Sequence, residues 1–125
     1  MNARRLIALV DDNARVRGTY QFLLRARGFD CVSFASAEGF LQSKRRHEAD
    51  CLLLDVWMPG MSGLELQRQL AADNLRIPII ILTGDPDETI EALAREAGAV
   101  RFLAKNTPPE DLIAALSDVL GAGAA

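Results

Sequence analysis

The sequence predicts an α/β domain, a doubly wound sheet of five parallel strands with helices on both faces. Three observations carry this. Short apolar runs alternate with longer amphipathic stretches five times along the chain, and such alternation places the strands in one parallel sheet joined by helical crossovers. The apolar runs are near-continuous, as strands covered on both faces are. The 125 residues, 50% hydrophobic and 25% charged, make one domain able to bury about two-thirds of its surface without a metal or disulfide staple.

The elements follow in order. Leu6-Ile7-Ala8-Leu9-Val10 reads as a buried strand. A helix over 13–27 carries Val16, Tyr20, Leu23 and Leu24 on one apolar stripe, and Gly28 ends it. Cys31 to Phe34 is a half-polar second strand, and Ser36 caps a short helix reaching about Ser43. The Lys44-Arg45-Arg46 run reads as the solvated end of that helix. Cys51 to Leu54 is the third strand, followed by a turn at Pro59-Gly60 and a helix over about 62–73. Pro78 to Leu82, rich in β-branched residues, is the fourth strand. Ile90, Leu93, Ala94 and Ala97 mark a helix over 87–97 closed by Gly98. Val100 to Leu103 is a short fifth strand. Thr107-Pro108-Pro109-Glu110 has the form of a capping box for a last helix that buries Leu112, Ile113, Leu116, Val119 and Leu120.

Composition narrows the function. A net charge of -3 offers no basic face for direct nucleic-acid binding. No apolar run approaches the ~18 residues of a membrane span, and the apolar stretch after Arg5 is too short for a secretory signal. Two separated cysteines, Cys31 and Cys51, fit a reducing cytoplasm, and with one histidine, His47, they make a zinc site a poor expectation.

In doubly wound sheets ligands bind outside the carboxyl ends of the strands. The first strand ends in Asp11-Asp12, the third in Asp55, the fourth in Thr83-Gly84 and the fifth in Lys105. Each has a plainer reading: Asp12 or Asn13 as a helix cap, Thr83 as a turn hydroxyl, Lys105 as a solvated charge. Their convergence from four strands is harder to explain that way. Two carboxylates ~4 Å apart repel by ~4 kcal/mol at an effective dielectric of 20, so three of them need protons or a cation. All-oxygen ligands favour a hard ion such as Mg²⁺.

These residues, with Met58-Pro59-Gly60-Met61-Ser62-Gly63-Leu64-Glu65, Leu82-Thr83-Gly84, Gly98-Ala99 and Phe102-Leu103-Ala104-Lys105, resemble the receiver domain of bacterial two-component response regulators over essentially the whole chain. The resemblance implies the flavodoxin-like strand order 2-1-3-4-5, with residues 1–120 as the receiver domain and 121–125 as a tail or the start of a linker. In that order Cys31 and Cys51 sit either side of the first strand, ~9.6 Å apart and beyond the ~7 Å limit for a disulfide.

The resemblance further implies roles. Asp55 is the phosphoryl acceptor, loaded by a sensor histidine kinase or a small donor. Asp12, Asp55 and the backbone carbonyl of Trp57 ligate Mg²⁺, with Asp11 helping directly or through water. Thr83 and Lys105 contact phosphoryl oxygens, and Gly84 leaves room for the group. Phe102 swings inward as Thr83 moves, and the fourth helix, fifth strand and fifth helix form the surface that partners read. The domain is then a phosphoacceptor rather than an enzyme. Its partners would be the kinase, an attached or separate output domain controlling transcription, and a second copy on phosphorylation. The Leu-Thr-Gly ending of the fourth strand points to a helix-turn-helix output.

The chain departs from the family pattern at Asn106, where proline usually follows the lysine through a cis bond. A cis bond without proline costs ~3–4 kcal/mol, so a trans bond is expected, with Lys105 re-aimed. Thr107 replaces a frequent phenylalanine. Trp57 either shields the acyl phosphate or packs on the surface, and Asp85 turns the loop toward Pro86 or positions a water. A phosphoaspartate hydrolase would want its two aspartates two residues apart, and a nucleotide-binding domain would want a glycine-rich loop. A receiver-like interaction module working without phosphate is the remaining alternative, although no acceptor, metal or lysine residue is missing.

Overall fold

A computed structural model describes residues 4–124, with side chains through Gly121. The elements run β1 (Leu6–Val10), α1 (Ala14–Ala26), β2 (Asp30–Phe34), α2 (Ala37–Gln42), β3 (Cys51–Leu54), α3 (Gly63–Ala72), β4 (Ile79–Thr83), α4 (Glu88–Glu96), β5 (Arg101–Ala104) and α5 (Pro109–Ala124). The sheet has the order β2-β1-β3-β4-β5, and every neighbouring pair is parallel.

Strand side chains alternate between two cores. Ile7 and Leu9 of β1 and Leu53 of β3 pack with Leu24 of α1 and Leu112, Leu116 and Leu120 of α5. Ala8 and Val10, with Leu52 and Leu54, face Phe40 of α2, Leu66 and Leu70 of α3 and Ala94 of α4. Both faces are covered, which is why these strands read as unbroken apolar runs. Ile7 lies opposite Cys31 on one side and Cys51 on the other, and both thiols are free and buried.

The helix starts are chemically specified. Asn13 accepts hydrogen bonds from Arg15 N–H at 2.9 Å and Val16 N–H at 3.1 Å. Ser36 accepts from Gly39 N–H at 3.0 Å, and Asp87 from Thr89 N–H at 2.8 Å. Ser62 and Glu65 form a reciprocal capping box on α3. These side chains satisfy N–H groups that the first turn of a helix leaves unpaired.

Three expectations change. The Lys44–His47 segment is a separate 3-10 turn, because Ser43 is extended and ends α2 while its side chain caps the next turn. α5 does not use the Thr107–Glu110 box. It begins at Pro109, Leu112 N–H returns to the Pro108 carbonyl at 3.1 Å, and the Glu110 carboxylate goes instead to Arg27. The Thr107 N–H that Glu110 would have capped is taken by the Ala104 carbonyl at 3.0 Å. Finally, α5 continues through Gly121 to Ala124, over residues expected as a tail. The tail reading at Ala125 and the sequence before Arg4 lie outside the described residues.

Candidate functional site

β1, β3 and β5 are each extended by one more sheet hydrogen bond. Asp11 N–H donates to the Phe34 carbonyl at 3.1 Å, Asp55 N–H to Val10 at 3.0 Å and Lys105 N–H to Thr83 at 2.8 Å. The charged residues therefore stand one step beyond their strands with their backbones still held by the sheet. Asp11 and Asp55 are buried. Carboxylate oxygens of Asp11, Asp12 and Asp55 all lie within 4.8 Å of one another.

Lys105 spans the cluster. Its Nζ is 2.7 Å from Asp11 Oδ2 and 3.3 Å from Asp55 Oδ2. Partial burial works against its charge, but the hydrogen bond to Asp11 and the charges of Asp55 and Asp11 outweigh it, so the ammonium is held above its usual range. The Asp55 carboxyl is raised as well, which for an acid disfavours the charged form. Burial and the neighbouring Asp11 push its pKa up against the opposing pull of Lys105 and the Trp57 N–H. One ammonium cannot neutralise two buried carboxylates, and Asp55 carries the deficit.

The cap question has a clear answer. Asn13 caps α1, and its own N–H donates to Asp11 Oδ1 at 2.8 Å. Asp12 is exposed and makes no hydrogen bond or ion pair among the described residues, so its carboxylate is available to an incoming cation. The donors are all oxygen, they are mutually close, and their charge exceeds what Lys105 offsets. The set fits a hard divalent ion.

Thr83 is fully buried, and its Oγ1 accepts from Asp85 N–H at 3.2 Å. That bond is the turn-hydroxyl reading of Thr83, and it uses only the backbone of Asp85. Gly84 is exposed, and a Cβ there would meet the Lys105 side chain at 3.7 Å, an ordinary contact. A cavity of about 390 Å³ lined by Gly84, Pro86, Ala104, Lys105 and Asn106 opens beside the lysine. Phe102 is half-buried opposite Ile81. Trp57 is 55% exposed and stands outside both cores, on the residue pair after Asp55. The Lys105–Asn106 bond is trans, as no described peptide bond is cis, yet Lys105 still reaches both aspartates. The expected re-aiming does not occur.

Four contributors were not anticipated. Arg17 Nη1 donates to the Asp11 carbonyl at 2.8 Å, and Tyr20 Oη donates to the Lys105 carbonyl at 2.7 Å. Glu38 Oε2 accepts from Met61 N–H at 3.1 Å, tying α2 to the loop after β3. At Gly63 a Cβ would stand 2.3 Å from the Asp55 carbonyl oxygen, so the start of α3 can lie against the acceptor strand only without a side chain. Tyr20 had a legible signal, since a tyrosine on an apolar helix stripe must place its hydroxyl. Arg17 and Gly63 act on chain only six and eight residues away, but no periodicity marks such contacts, and the Glu38–Met61 bond joins segments 23 residues apart.

Residues 7–117 match the family model described as the response regulator receiver domain. The chain belongs to this family. Nodulation protein W of Bradyrhizobium diazoefficiens is 37% identical over 115 residues, which cover 92% of this chain and 51% of that protein. The transcriptional regulatory protein FixJ of the same organism is 33% identical over 120 residues, covering 96% of this chain and 58% of FixJ. Among solved structures, response regulator StyR superposes with a TM-score of 0.86 at 41% identity, covering 98% of this chain and 62% of StyR. The receiver thus spans little more than half the length of these curated relatives. Among its own described residues no helix is long and apolar enough to cross a membrane.

Proposed function

We propose that this receiver accepts a phosphoryl group on Asp55 from a sensor histidine kinase or a small phosphodonor, in the presence of Mg²⁺. The observation that carries this reading is the bridging of Asp11 and Asp55 by Lys105 Nζ inside a cluster that retains surplus negative charge. An Asp55 carboxylate oxygen forms the new bond to phosphorus. The donor's P–N or P–O bond breaks, and its electron pair leaves with the imidazole or carboxylate.

Asp11, Asp12 and Asp55, with the Trp57 carbonyl, would hold the cation. When bound, Mg²⁺ supplies charge neutralisation for the carboxylates and the transferring oxygens. Lys105 exchanges part of its contact with Asp55 for an equatorial phosphoryl oxygen, keeping Asp11 as its anchor. The Thr83 hydroxyl already accepts from Asp85 N–H, so its proton is free to donate to a second oxygen. Gly84 and the cavity beside it leave the approach open.

The output is a conformational equilibrium. Moving it from 99:1 to 1:99 takes ~5.5 kcal/mol of differential stabilisation, whereas one charged hydrogen bond contributes ~1.5–3 kcal/mol. Thr83, Lys105, inward movement of Phe102 and partner binding at the α4–β5–α5 face therefore act together, the partner being an output domain or a second copy. The transcriptional name of FixJ supports an output in transcription. The domain itself is a phosphoacceptor that assists its own loading, not an enzyme turning over a separate substrate.

Intact-mass analysis after incubation with acetyl phosphate and Mg²⁺ tests this. Wild type gains one phosphoryl mass and Asp55→Asn gains none. A wild-type chain unmodified by that donor and by histidine kinases would overturn the reading and favour an interaction module that works without phosphate.

A further inference from the structure

We propose that Tyr20 is a positioning residue that holds Lys105 in register with Asp11 and Asp55 through its hydroxyl bond to the Lys105 carbonyl. This rests on the phosphoacceptor reading above and adds to it a residue on α1 remote from the reacting atoms.

Lys105 and Asn106 are the central residues of a tight turn, closed by Thr107 N–H donating to the Ala104 carbonyl at 3.0 Å. The turn follows β5, whose residues are all only half-buried. On the strand side, Lys105 N–H is fixed to the Thr83 carbonyl at 2.8 Å. On the far side, its carbonyl receives the Tyr20 hydroxyl at 2.7 Å. A sheet bond alone leaves the Lys105–Asn106 peptide plane free to rotate, because it constrains the N–H and not the following C=O. The phenol supplies the second restraint, so both backbone polar groups of the lysine are anchored and its side chain starts from a defined direction.

The phenol itself is well seated. The Tyr20 ring packs against the core shared by α1 and α5, and an aromatic side chain has just two torsions to fix. One turn earlier on the same helix, Arg17 Nη1 grips the Asp11 carbonyl at 2.8 Å. α1 thereby holds the backbone of both ends of the 2.7 Å Lys105–Asp11 ion pair. A second link, from Arg27 just after α1 to Glu110 of α5, is exposed and lies beyond the turn, so it does not restrain the Lys105 carbonyl.

Tyr20→Phe removes the hydroxyl and keeps the ring. Loading of Asp55 from acetyl phosphate with saturating Mg²⁺, followed by intact mass, should fall about tenfold in maximal rate, since misplacement of a catalytic group by ~1 Å costs up to ~100-fold. The half-saturating donor concentration and the Mg²⁺ midpoint, read by Trp57 fluorescence, should stay within about twofold. The deciding measurement is the cycle with Lys105→Ala. If Tyr20 acts through Lys105, adding Tyr20→Phe to Lys105→Ala slows loading no further. An equal slowing in both backgrounds, or full-rate loading by Tyr20→Phe alone, would overturn the assignment while leaving Asp55 as acceptor. Absence of loading in wild type would remove the phosphoacceptor reading and this inference with it.

Discussion

The centre and the edge of the sheet supply opposite halves of the site. β1, β3 and β4 are buried at every residue, and the first two deliver Asp11 and Asp55 from a frame with no slack. β5 is half-buried throughout and delivers Lys105 and Phe102 from an edge strand and a turn. The acids are thus presented by strands covered on both faces, and the cation and the aromatic by a strand only half covered. Of the two β5-side groups, Lys105 is held through its backbone by Thr83 and Tyr20, which leaves the half-buried Phe102 ring the one held by packing alone.

Substitutions in one core, at the centre and at the edge, sharpen that contrast most. Leu53 of β3 and Leu103 of β5 both pack against the α1–α5 side. Leu53→Ala should cost about 3–5 kcal/mol and Leu103→Ala about 1–2 kcal/mol, measured by urea denaturation. Equal costs would mean that the edge is as firmly built as the centre.

Gly63→Ala should come next, at about 2 kcal/mol. Its Cβ would meet the Asp55 carbonyl oxygen at 2.3 Å, and neither the α3 start nor β3 can yield easily. The same exchange at Gly84, where the nearest foreign atom is 3.7 Å away, should change stability by less than about 0.5 kcal/mol.

A smaller effect, of opposite sign, is expected at Asp55. Its carboxyl titrates higher in the folded chain than in the unfolded one because of burial and the neighbouring Asp11. The folded state therefore holds more protons between those two values. Stability contributed by this group falls as pH rises through that window and is gone above the folded value. Without divalent cations, Asp55→Asn should melt about 3 °C above wild type at neutral pH, and the gap should close as pH falls below the window. Added Mg²⁺ should raise the wild type more than the variant. A variant that melts lower under all these conditions would show that the Lys105 contact outweighs the crowding of the acids.

The thiols give the mildest test. Burial pushes Cys51 up to about 12 and Cys31 up to about 11. Both should resist alkylation at pH 8 in the folded protein and react in denaturant. Cys31, on the edge strand β2, should label first as the native state opens, whereas simultaneous labelling would indicate that β2 opens only with the whole sheet.

The element order and the charged residues that follow the first, third and fifth strands were legible because both are local. Periodicity marks a strand or a helix within ten residues, and a carboxylate after an apolar run stands out. Asn13 and Asp12 were equally good caps on paper, and only the folded geometry assigns the cap to Asn13 and leaves Asp12 open. The Lys44–His47 turn escaped because Ser43 serves two caps at once. The Thr107 box misled because the Thr107 N–H closes the Lys105–Asn106 turn and Glu110 pairs with Arg27 instead.

What the amino-acid order determined by itself is which segments become strands and helices and which chemical groups stand at their ends, since both follow from nearest-neighbour sterics and the spacing of apolar side chains. The meeting of the Tyr20 hydroxyl with the Lys105 carbonyl was decided by the tertiary structure alone. Partners 85 residues apart carry no local pattern, and their contact exists only once two helices have closed over one face of the sheet.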